Sequence, residues 1–320
     1  MRTTLGLLAL LGLVCQPALG RDWQAVRTFA YQLQGCDFAQ LRQSDFDLLV
    51  MDYSRDGHAD NRYQSDEIAS LRSDRPCLVL AYLSIGEAEE YRFYWKPDFR
   101  PGNPAWLLPP NPNWPDNYKV RYWDPEWQAI IGDYVDQILE AGFDGLYLDL
   151  VDSYQHFPDR PQARQEMIDF VSHLAGHARA KGGDDFGIFP QNGEELLEDP
   201  AYLDLITGIG KESTYFGYPS DEVASDPEWT AEVEQRLDRA VAAGKLVLNV
   251  DYTGRVDQAR QATRRAHARG YREFIAVREL DQIQVALNPV PETNLVGPIA
   301  LGLLLLVLVG WLVRWRLRRR

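Results

Sequence analysis

The sequence predicts an α/β protein of the (β/α)8 TIM-barrel class, and three observations support this fold. Short β-branched or aromatic runs alternate with helical stretches, an order typical of a parallel sheet wrapped by helices. Eight such runs fit between residues 21 and 287, which is close to the usual length of this barrel. The turn after the first run, Gly35-Cys36-Asp37, lacks the glycine-rich loop that a nucleotide-binding open sheet would need.

The predicted elements follow one another in regular order. The eight strands are predicted at 29–34, 47–53, 77–84, 145–150, 186–190, 205–210, 245–251 and 271–277. The clearest helices are predicted at 127–141, 226–243 and 256–269, and each is followed directly by a glycine, a common helix-ending residue. The pattern indicates one domain without an internal repeat.

Both ends of the chain predict an exported protein anchored in a membrane. Residues 1–20 have a basic start, a short apolar stretch and a small-residue end, which is the layout of a cleaved signal peptide. Residues 295–313 are apolar over the length of a bilayer, and the arginine-rich tail 314–320 is expected to stay in the cytoplasm. The barrel domain, 21–287, is therefore expected outside the cytoplasm, periplasmic or extracellular, and joined to the helix by a linker at 288–294. Removal of the C-terminal helix after export is the alternative left open.

The charge of the chain excludes one class of partner. The formal net charge is −14, and without Arg2 and the five arginines of the tail it becomes −20. Such a domain repels phosphates, which argues against nucleic-acid binding, and it can attract a cationic ligand. The sequence predicts no cofactor and no metal site. Cys36 and Cys77 fall at opposite ends of the predicted barrel, so both are expected to be free thiols.

A long loop is predicted between the third and fourth strands. Residues 87–124 are rich in proline and tryptophan, and long loops of this kind are usually functional or disordered. Many aromatic residues argue against disorder. Most of the tryptophans are expected to pin the loop to the barrel rim, and Trp123 is the candidate for contact with a sugar ring.

The C-terminal ends of the predicted strands carry acids and tyrosines. Catalytic groups of this barrel class stand at those ends. Such a rim is typical of carbohydrate chemistry, and it lacks the histidines of a serine or zinc hydrolase. The candidates for substrate binding are Asp52, Tyr53, Tyr82, Glu87, Asp152, Asn192, Asp251 and Tyr252.

Two further carboxylates are the candidate catalytic pair. Asp149 ends the fourth strand and Glu212 follows the sixth, so both are expected at the same mouth with one strand between them. Glycoside cleavage needs two such acids, although one of them could instead be a structural hydrogen-bond acceptor. Lys211 offers a rival chemistry, a Schiff base with a carbonyl substrate. Alternation along a strand puts Lys211 and Glu212 on opposite faces, and Glu212 is favoured for the mouth.

Four segments together resemble glycoside hydrolase family 114. They are YLSIGEAE at 82–89, YWDPEW at 122–127, GFDGLYLD at 142–149 and Glu212-Ser213. The resemblance implies an endo-acting hydrolase of a polymer of α-1,4-linked galactosamine, partly N-acetylated, with Asp149 as nucleophile and Glu212 as acid and base. A retaining course is expected, and an inverting one is the alternative left open. It also implies that sugar sites are lined by Asp52, Tyr82, Glu87, Asn192, Asp251 and Tyr252.

One departure and two alternative functions remain beside this resemblance. Many relatives have asparagine after the strand-four acid, where this chain has Leu150, which bears on substrate identity more than on fold. A cationic galactosamine polymer agrees with the acidic domain. The alternatives are a barrel that binds polysaccharide without cleaving it, and a Schiff-base lyase that uses Lys211.

Overall fold

The computed structural model describes residues 20–288 of the chain. The signal peptide up to residue 19, the linker from residue 289, the membrane helix and the basic tail lie outside the described residues and stay predictions. Within residues 20–288, no helix is both long and apolar enough to cross a membrane.

Eight parallel strands form the centre of the protein, seven of them at the places that the sequence predicts and the sixth displaced along the chain. In chain order, and counting three further strands described below, they are β1 Phe29–Tyr31, β2 Leu48–Met51, β3 Leu78–Ser84, β7 Gly145–Asp149, β8 Gly187–Pro190, β9 Gly208–Glu212, β10 Leu246–Tyr252 and β11 Arg272–Ala276.

Backbone pairing joins these strands in sequence order. Strands β1, β2, β3, β7 and β8 form one parallel sheet, and β9, β10 and β11 form another. A parallel bridge between Gln191 and Gly210 connects the two sheets. Between the first and last strands, the rings of Phe29 and Phe274 pack with centroids 5.7 Å apart. The result is the predicted TIM-barrel-like fold, and the carboxyl ends of all eight strands open at one mouth.

Helices surround the barrel. They are α1 Phe38–Gln43, α2 Ser65–Ser70, α3 Pro125–Glu140, α4 Ala163–Gly182, α5 Pro200–Leu205, α6 Pro227–Ala242 and α7 Val256–Ala268. Helices α3, α5 and α6 each begin with proline after an aspartate whose carboxylate accepts a backbone N–H of the first turn, the sequence signature of a helix start.

The predicted sixth strand is displaced in the structure. It was expected at 205–210 and it runs over Gly208–Glu212, because Asp199 caps α5 and keeps residues 200–205 helical. The shift has a consequence for the site, since it makes Glu212 the last residue of its strand, as Asp149 is of β7.

The prediction of a loop without secondary structure at 87–124 is wrong. This segment contains a small antiparallel sheet of β4 Glu87–Glu89, β5 Leu107–Asn111 and β6 Trp114–Val120, with β6 in the centre. Its prolines lie in β5, at the start of β6 and in turns. Trp106 and Trp127 are fully buried with ring centroids 5.0 Å apart, so these tryptophans do fix the segment to the barrel. Cys36 and Cys77 are free thiols.

Candidate active site

Asp149 and Glu212 face each other at the mouth of the barrel, joined by a side chain from the strand between them. Gln191 follows β8, which lies between β7 and β9. Its Nε2 donates to Asp149 Oδ1 at 2.9 Å and to Glu212 Oε2 at 2.8 Å. One amide nitrogen therefore binds both carboxylates.

This shared donor limits the separation of the two acids. Two oxygens bound to one nitrogen at these distances are less than about 6 Å apart, whereas inverting glycosidases need about 6.5–9.5 Å to admit a water. The facing oxygens of the two acids are therefore closer than the inverting range.

Two tyrosines fix the outer oxygens of the pair. Tyr82, on β3, donates its hydroxyl to Asp149 Oδ2 at 2.6 Å. Tyr252, at the end of β10, donates its hydroxyl to Glu212 Oε1. Both tyrosines are buried, so each carboxylate is held from its own side of the mouth and from Gln191 between them.

The pair holds a proton near neutral pH. Burial raises the pKa of Asp149 to about 8, and the negative charge of Glu212 adds to the rise. The Tyr82 hydroxyl and the Leu150 N–H, which donates to Asp149 Oδ1 at 2.7 Å, act in the opposite direction because they favour the carboxylate. One ionised and one protonated acid is the state that glycoside cleavage requires.

The floor of the site is aromatic. Tyr31 and Tyr147 are buried inside the barrel with ring centroids 5.2 Å apart, and the charges of Asp149 and Glu212 contribute to raising the pKa of both phenols. A Cβ at Gly210 would collide with the ring and hydroxyl of Tyr147, so glycine at this position makes room for the floor.

Lys211 points away from the mouth. It is 7% exposed, its Nζ lies 3.2 Å from Glu194 Oε2, and it stands 5.1 Å from the ring centroid of Trp229 on α6. Its position on the helix side of the barrel removes the structural basis for a Schiff base with a substrate in the mouth. The same ammonium donates to Asn192 Oδ1 at 3.2 Å.

Asn192 and Asp152, two of the predicted substrate-binding residues, lie beside Glu212. Asn192 Nδ2 donates to Glu212 Oε2 at 3.3 Å, so this residue belongs to the site. Asp152 lies in the turn after β7, where burial raises its pKa to about 6 and the charges of Glu194 and Glu212 add to the rise, while Lys211 lowers it. It adds a second titratable carboxyl to the Glu212 side of the mouth.

Two candidates at the end of β2 have structural partners. Asp52 forms an ion pair through both carboxylate oxygens with Arg92, at 2.8 Å each. Tyr53 is fully buried, donates to the Gly57 carbonyl and packs on Tyr134. A side chain without exposed surface cannot contact a ligand, so we correct the expectation for Tyr53 and assign it to the packing under the rim.

Asp251 needs the same correction. It is fully buried and accepts the N–H groups of Tyr215 and Phe216, both at 2.8 Å. It therefore holds the loop that follows Glu212 and has no surface for a sugar.

Two other candidates lie on the 87–124 side. Glu87 is 1% exposed and accepts Asn111 Nδ2 at 3.0 Å, inside the small sheet. Trp123 packs edge-on against Phe157 at 4.8 Å and carries the Arg160 guanidinium 4.1 Å from its ring centroid. Neither contact joins these residues to the acid pair.

Sequence reasoning assigned no role to the residue that organises the site. Its position could have identified it, because Gln191 stands at the end of the strand that lies between the two acid-bearing strands. Tyr31 and Tyr147 gave no signal of their own, because an aromatic residue inside a strand reads as core. Within residues 20–288, no group of His, Cys, Asp and Glu side chains is arranged to hold a metal ion.

A groove of about 620 Å³ lies elsewhere, between α6 and α7. It is lined by Asp238, Val241, Ala242, Arg265, Ala268 and Arg269. Arg265 and Arg269 form ion pairs with the buried Glu234, which accounts for their positions. This groove is on the outer ring of helices, far in the fold from the strand ends, and the chemistry lies with the acid pair.

The sequence model of glycoside-hydrolase family GH114 matches residues 15–289, most of the chain. The chain belongs to this family. Membership supports glycoside hydrolysis as its activity.

An uncharacterized protein of Deinococcus radiodurans is 38% identical over 275 residues, 84% of each chain. Another, of Methanocaldococcus jannaschii, is 36% identical over 271 residues, 80% of this chain and 77% of that protein.

Solved structures share the fold of this family member. The glycoside hydrolase domain of PelA from Pseudomonas aeruginosa aligns with a TM-score of 0.62 at 20% identity, over 81% of this chain and 96% of that domain. Aspergillus fumigatus Ega3, solved in complex with galactosamine, aligns with a TM-score of 0.62 at 19% identity, over 81% of this chain and 95% of Ega3.

Proposed function

We propose that the protein is a membrane-tethered, exported endo-glycosidase that cleaves an α-1,4-linked galactosamine polymer by a retaining mechanism. The observation that carries the proposal is the single amide nitrogen of Gln191 between two carboxylates, Asp149 and Glu212. Membership in GH114 supports the reaction class, and the galactosamine bound in the Ega3 structure supports the sugar.

In the proposed reaction, one acid attacks the anomeric carbon while the other protonates the leaving oxygen. The covalent glycosyl-enzyme is then hydrolysed by a water that the second acid activates. We assign attack to Asp149 and proton transfer to Glu212, as the family resemblance implies. Since burial raises the pKa of Asp149 to about 8, Asp149 is protonated in the empty site at neutral pH.

Attack requires Asp149 to lose its proton, and the positive charge of the substrate favours that loss. The amino group of a galactosamine unit is on the carbon next to the anomeric carbon, so the ammonium enters close to the attacking carboxyl. A nearby positive charge favours the ionised form and lowers the pKa of Asp149. Asp149 can then attack as a carboxylate. A polymer with free amino groups is accordingly the expected substrate.

The test is turnover of a partly de-N-acetylated α-1,4-galactosamine polymer by the full chain. Asp149→Asn and Glu212→Gln should each abolish cleavage, because each removes one member of the pair. Glu198→Gln changes a half-exposed acid outside the site and should leave the rate unchanged. Cleavage that survives in either site variant would refute the assignment. Saturable binding without cleavage by the unmodified protein would favour a binding protein.

The two roles can be separated by azide rescue of Asp149→Gly and Glu212→Gly. Azide replacing the nucleophile gives a glycosyl azide of inverted configuration, whereas azide acting after loss of the acid and base gives one of retained configuration. The proposal expects inversion from the Asp149 variant and retention from the Glu212 variant. The opposite pattern would exchange the roles.

A further inference from the structure

Three large aromatic side chains are exposed within residues 20–288, and all three belong to segments that leave the C-terminal ends of barrel strands. Tyr91 is 38% exposed, Trp114 is 55% exposed, and Tyr218 is 64% exposed. Tyr91 and Trp114 follow β3, and Tyr218 follows β9. The other large aromatic side chains of residues 20–288 are buried or half-buried. Aromatic surface that stays exposed only at the mouth of a barrel points to a ligand there.

Tyr218 is an aromatic face with a fixed orientation. One side of its ring stacks on Trp229, with centroids 6.1 Å apart and an interplanar angle of 28°. Trp229 is held in turn by the Lys211 ammonium. Because the neighbours fix the ring from one side, its open side can bind a ligand with little loss of conformational freedom.

Contacts connect Tyr218 to the Glu212 side of the acid pair. The carbonyl of Gly217 accepts Arg278 Nη2 at 2.6 Å, and the Arg278 guanidinium lies 4.1 Å from the ring centroid of Tyr252. Tyr252 donates its hydroxyl to Glu212. Gly217, the residue before Tyr218, is therefore joined through Arg278 to the tyrosine that binds Glu212.

Tyr91 is connected to the opposite side of the pair. Its hydroxyl donates to Glu89 Oε1 at 2.5 Å, and its ring lies 5.0 Å from the buried Arg92 guanidinium, so its orientation is also fixed. Glu89 is near enough to Tyr82 to contribute to the raised pKa of that phenol. Tyr82 donates to Asp149. Chains of contacts therefore lead from each member of the acid pair to one exposed tyrosine, from Asp149 through Tyr82 and Glu89 to Tyr91 and from Glu212 through Tyr252 and Arg278 toward Tyr218.

We propose that Tyr91 and Tyr218 are two sugar-stacking sites on opposite sides of the acid pair, and that they bind amino-sugar units of one polymer chain on both sides of the bond to be cleaved. The inference deepens the proposed function and rests on it. The C–H face of a pyranose is apolar and packs on an aromatic ring, and an ammonium group is attracted to the face of the same ring. Binding on both sides of the acids is what cleavage within a chain requires.

The experiment measures binding, so that it does not depend on turnover. Calorimetry on the full chain carrying Glu212→Gln gives affinities for the partly de-N-acetylated galactosamine polymer and for the galactosamine disaccharide. Adding Tyr91→Ala or Tyr218→Ala should lower the ratio of polymer to disaccharide affinity about tenfold. Tyr91→Phe keeps the ring and should keep the ratio.

Trp114→Ala is the matched control, because Trp114 is as exposed as the two tyrosines but stands at the β5–β6 turn, paired with Asn111. Its loss should leave the ratio within twofold. An unchanged ratio in both tyrosine variants would overturn the inference, and so would an equal fall in Trp114→Ala, since position would then not matter.

The outcomes separate this inference from the proposed catalysis. Cleavage by the unmodified protein together with unaltered binding by the tyrosine variants would remove the stacking sites and leave the enzyme. Binding that depends on both tyrosines, in a protein that cleaves nothing, would leave the stacking sites and remove the enzyme. A protein that neither binds nor cleaves the polymer would refute both.

Discussion

The residues of the site work through one shared donor and one shared proton. Gln191 binds both acids through Nε2, and the buried position of Asp149 keeps a proton on the pair near neutral pH. Each carboxylate has a tyrosine of its own, Tyr82 or Tyr252. Replacing one of these hydrogen-bond partners should therefore alter the titration of the acid pair while leaving the fold intact.

The first prediction concerns pH. Since kcat/KM reports the free enzyme, its alkaline limb should lie near the Asp149 pKa of about 8, where the pair loses its proton. The Tyr82 hydroxyl favours the ionised form, so Tyr82→Phe should raise that pKa and move the limb to higher pH by about one unit. Tyr202→Phe, which changes a buried tyrosine of α5, is the control. A limb that stays in place would disprove the coupling.

A second prediction concerns Lys211 as a positioning residue. Asn192 Oδ1 accepts Lys211 Nζ and the Glu212 N–H, which turns Nδ2 toward the Glu212 carboxylate. In Lys211→Met the Asn192 amide can flip and lose its hydrogen bond to the Glu212 carboxylate. We therefore expect kcat to fall about tenfold, a loss of about 1.4 kcal/mol in transition-state stabilisation, with little change in KM.

A double-mutant cycle distinguishes this role from a general loss of stability. Lys211→Met should cost little more once Asn192→Ala is present, because both changes remove the same bond. Lys245→Met removes a half-buried lysine that donates to the Asp204 and Ile206 carbonyls near the opposite end of the neighbouring strand, and it should not reproduce the loss of kcat. Additive effects would contradict the positioning role.

At the scale of elements, a buried arginine fixes the small sheet of β4, β5 and β6 to the barrel. Arg92 is 3% exposed and bridges Asp52, after β2, to Glu89 on β4. Asp52 thus supports the rim that presents Tyr91. Removing a single partner from a buried ion cluster leaves uncompensated charge, which is costly.

The third prediction follows from this cluster. Arg92→Met should lower the free energy of unfolding by about 3–5 kcal/mol in urea denaturation, because it leaves two buried carboxylates without their cation. Arg255→Met breaks the exposed pair with Asp257 and should cause no measurable change. If the two substitutions lowered the free energy of unfolding equally, the buried cluster would contribute no more to stability than an exposed ion pair.

At the scale of the whole molecule, charge is the dominant property. Without Arg2 and the five arginines of the tail, the chain has a formal charge of −20, which attracts a cationic polymer over distances beyond contact. This attraction is screened by salt, because the Debye length shortens from about 10 Å at 0.1 M to about 3 Å at 1 M.

The fourth prediction is a salt dependence. Raising the salt concentration from about 0.05 M to about 0.5 M should raise KM for the partly de-N-acetylated polymer several-fold through weaker steering and binding. An uncharged aryl glycoside, which carries no ammonium, should show little change. If both substrates respond alike, salt acts on the protein and the electrostatic explanation fails.

The fifth prediction places the chain in a membrane. The full chain should remain in the membrane fraction after an alkaline carbonate wash, and a chain without residues 295–320 should not, because that segment is the predicted span. External protease should digest the barrel domain in whole cells or spheroplasts. Recovery of the full chain in the soluble fraction would contradict the anchor.

Strand alternation shows how far the site could be predicted. It correctly separated Lys211 from Glu212, and the same rule allows only one of Asp251 and Tyr252 to face the mouth. In the structure Tyr252 faces the mouth and binds Glu212, whereas Asp251 points to the other side of the strand and accepts the Tyr215 N–H. Both were proposed for sugar contact because the rule was applied to one pair and not to the other.

The sequence by itself determined the eight-strand order, the acids at two strand ends and the charge of the domain, because these depend on local patterns and on composition. Only the tertiary structure decided that Gln191 bridges the acids, that Tyr31 and Tyr147 form the floor, and that Asp149 keeps a proton. These properties arise between strands distant in the chain, since burial and hydrogen bonding depend on which side chains meet when the barrel closes.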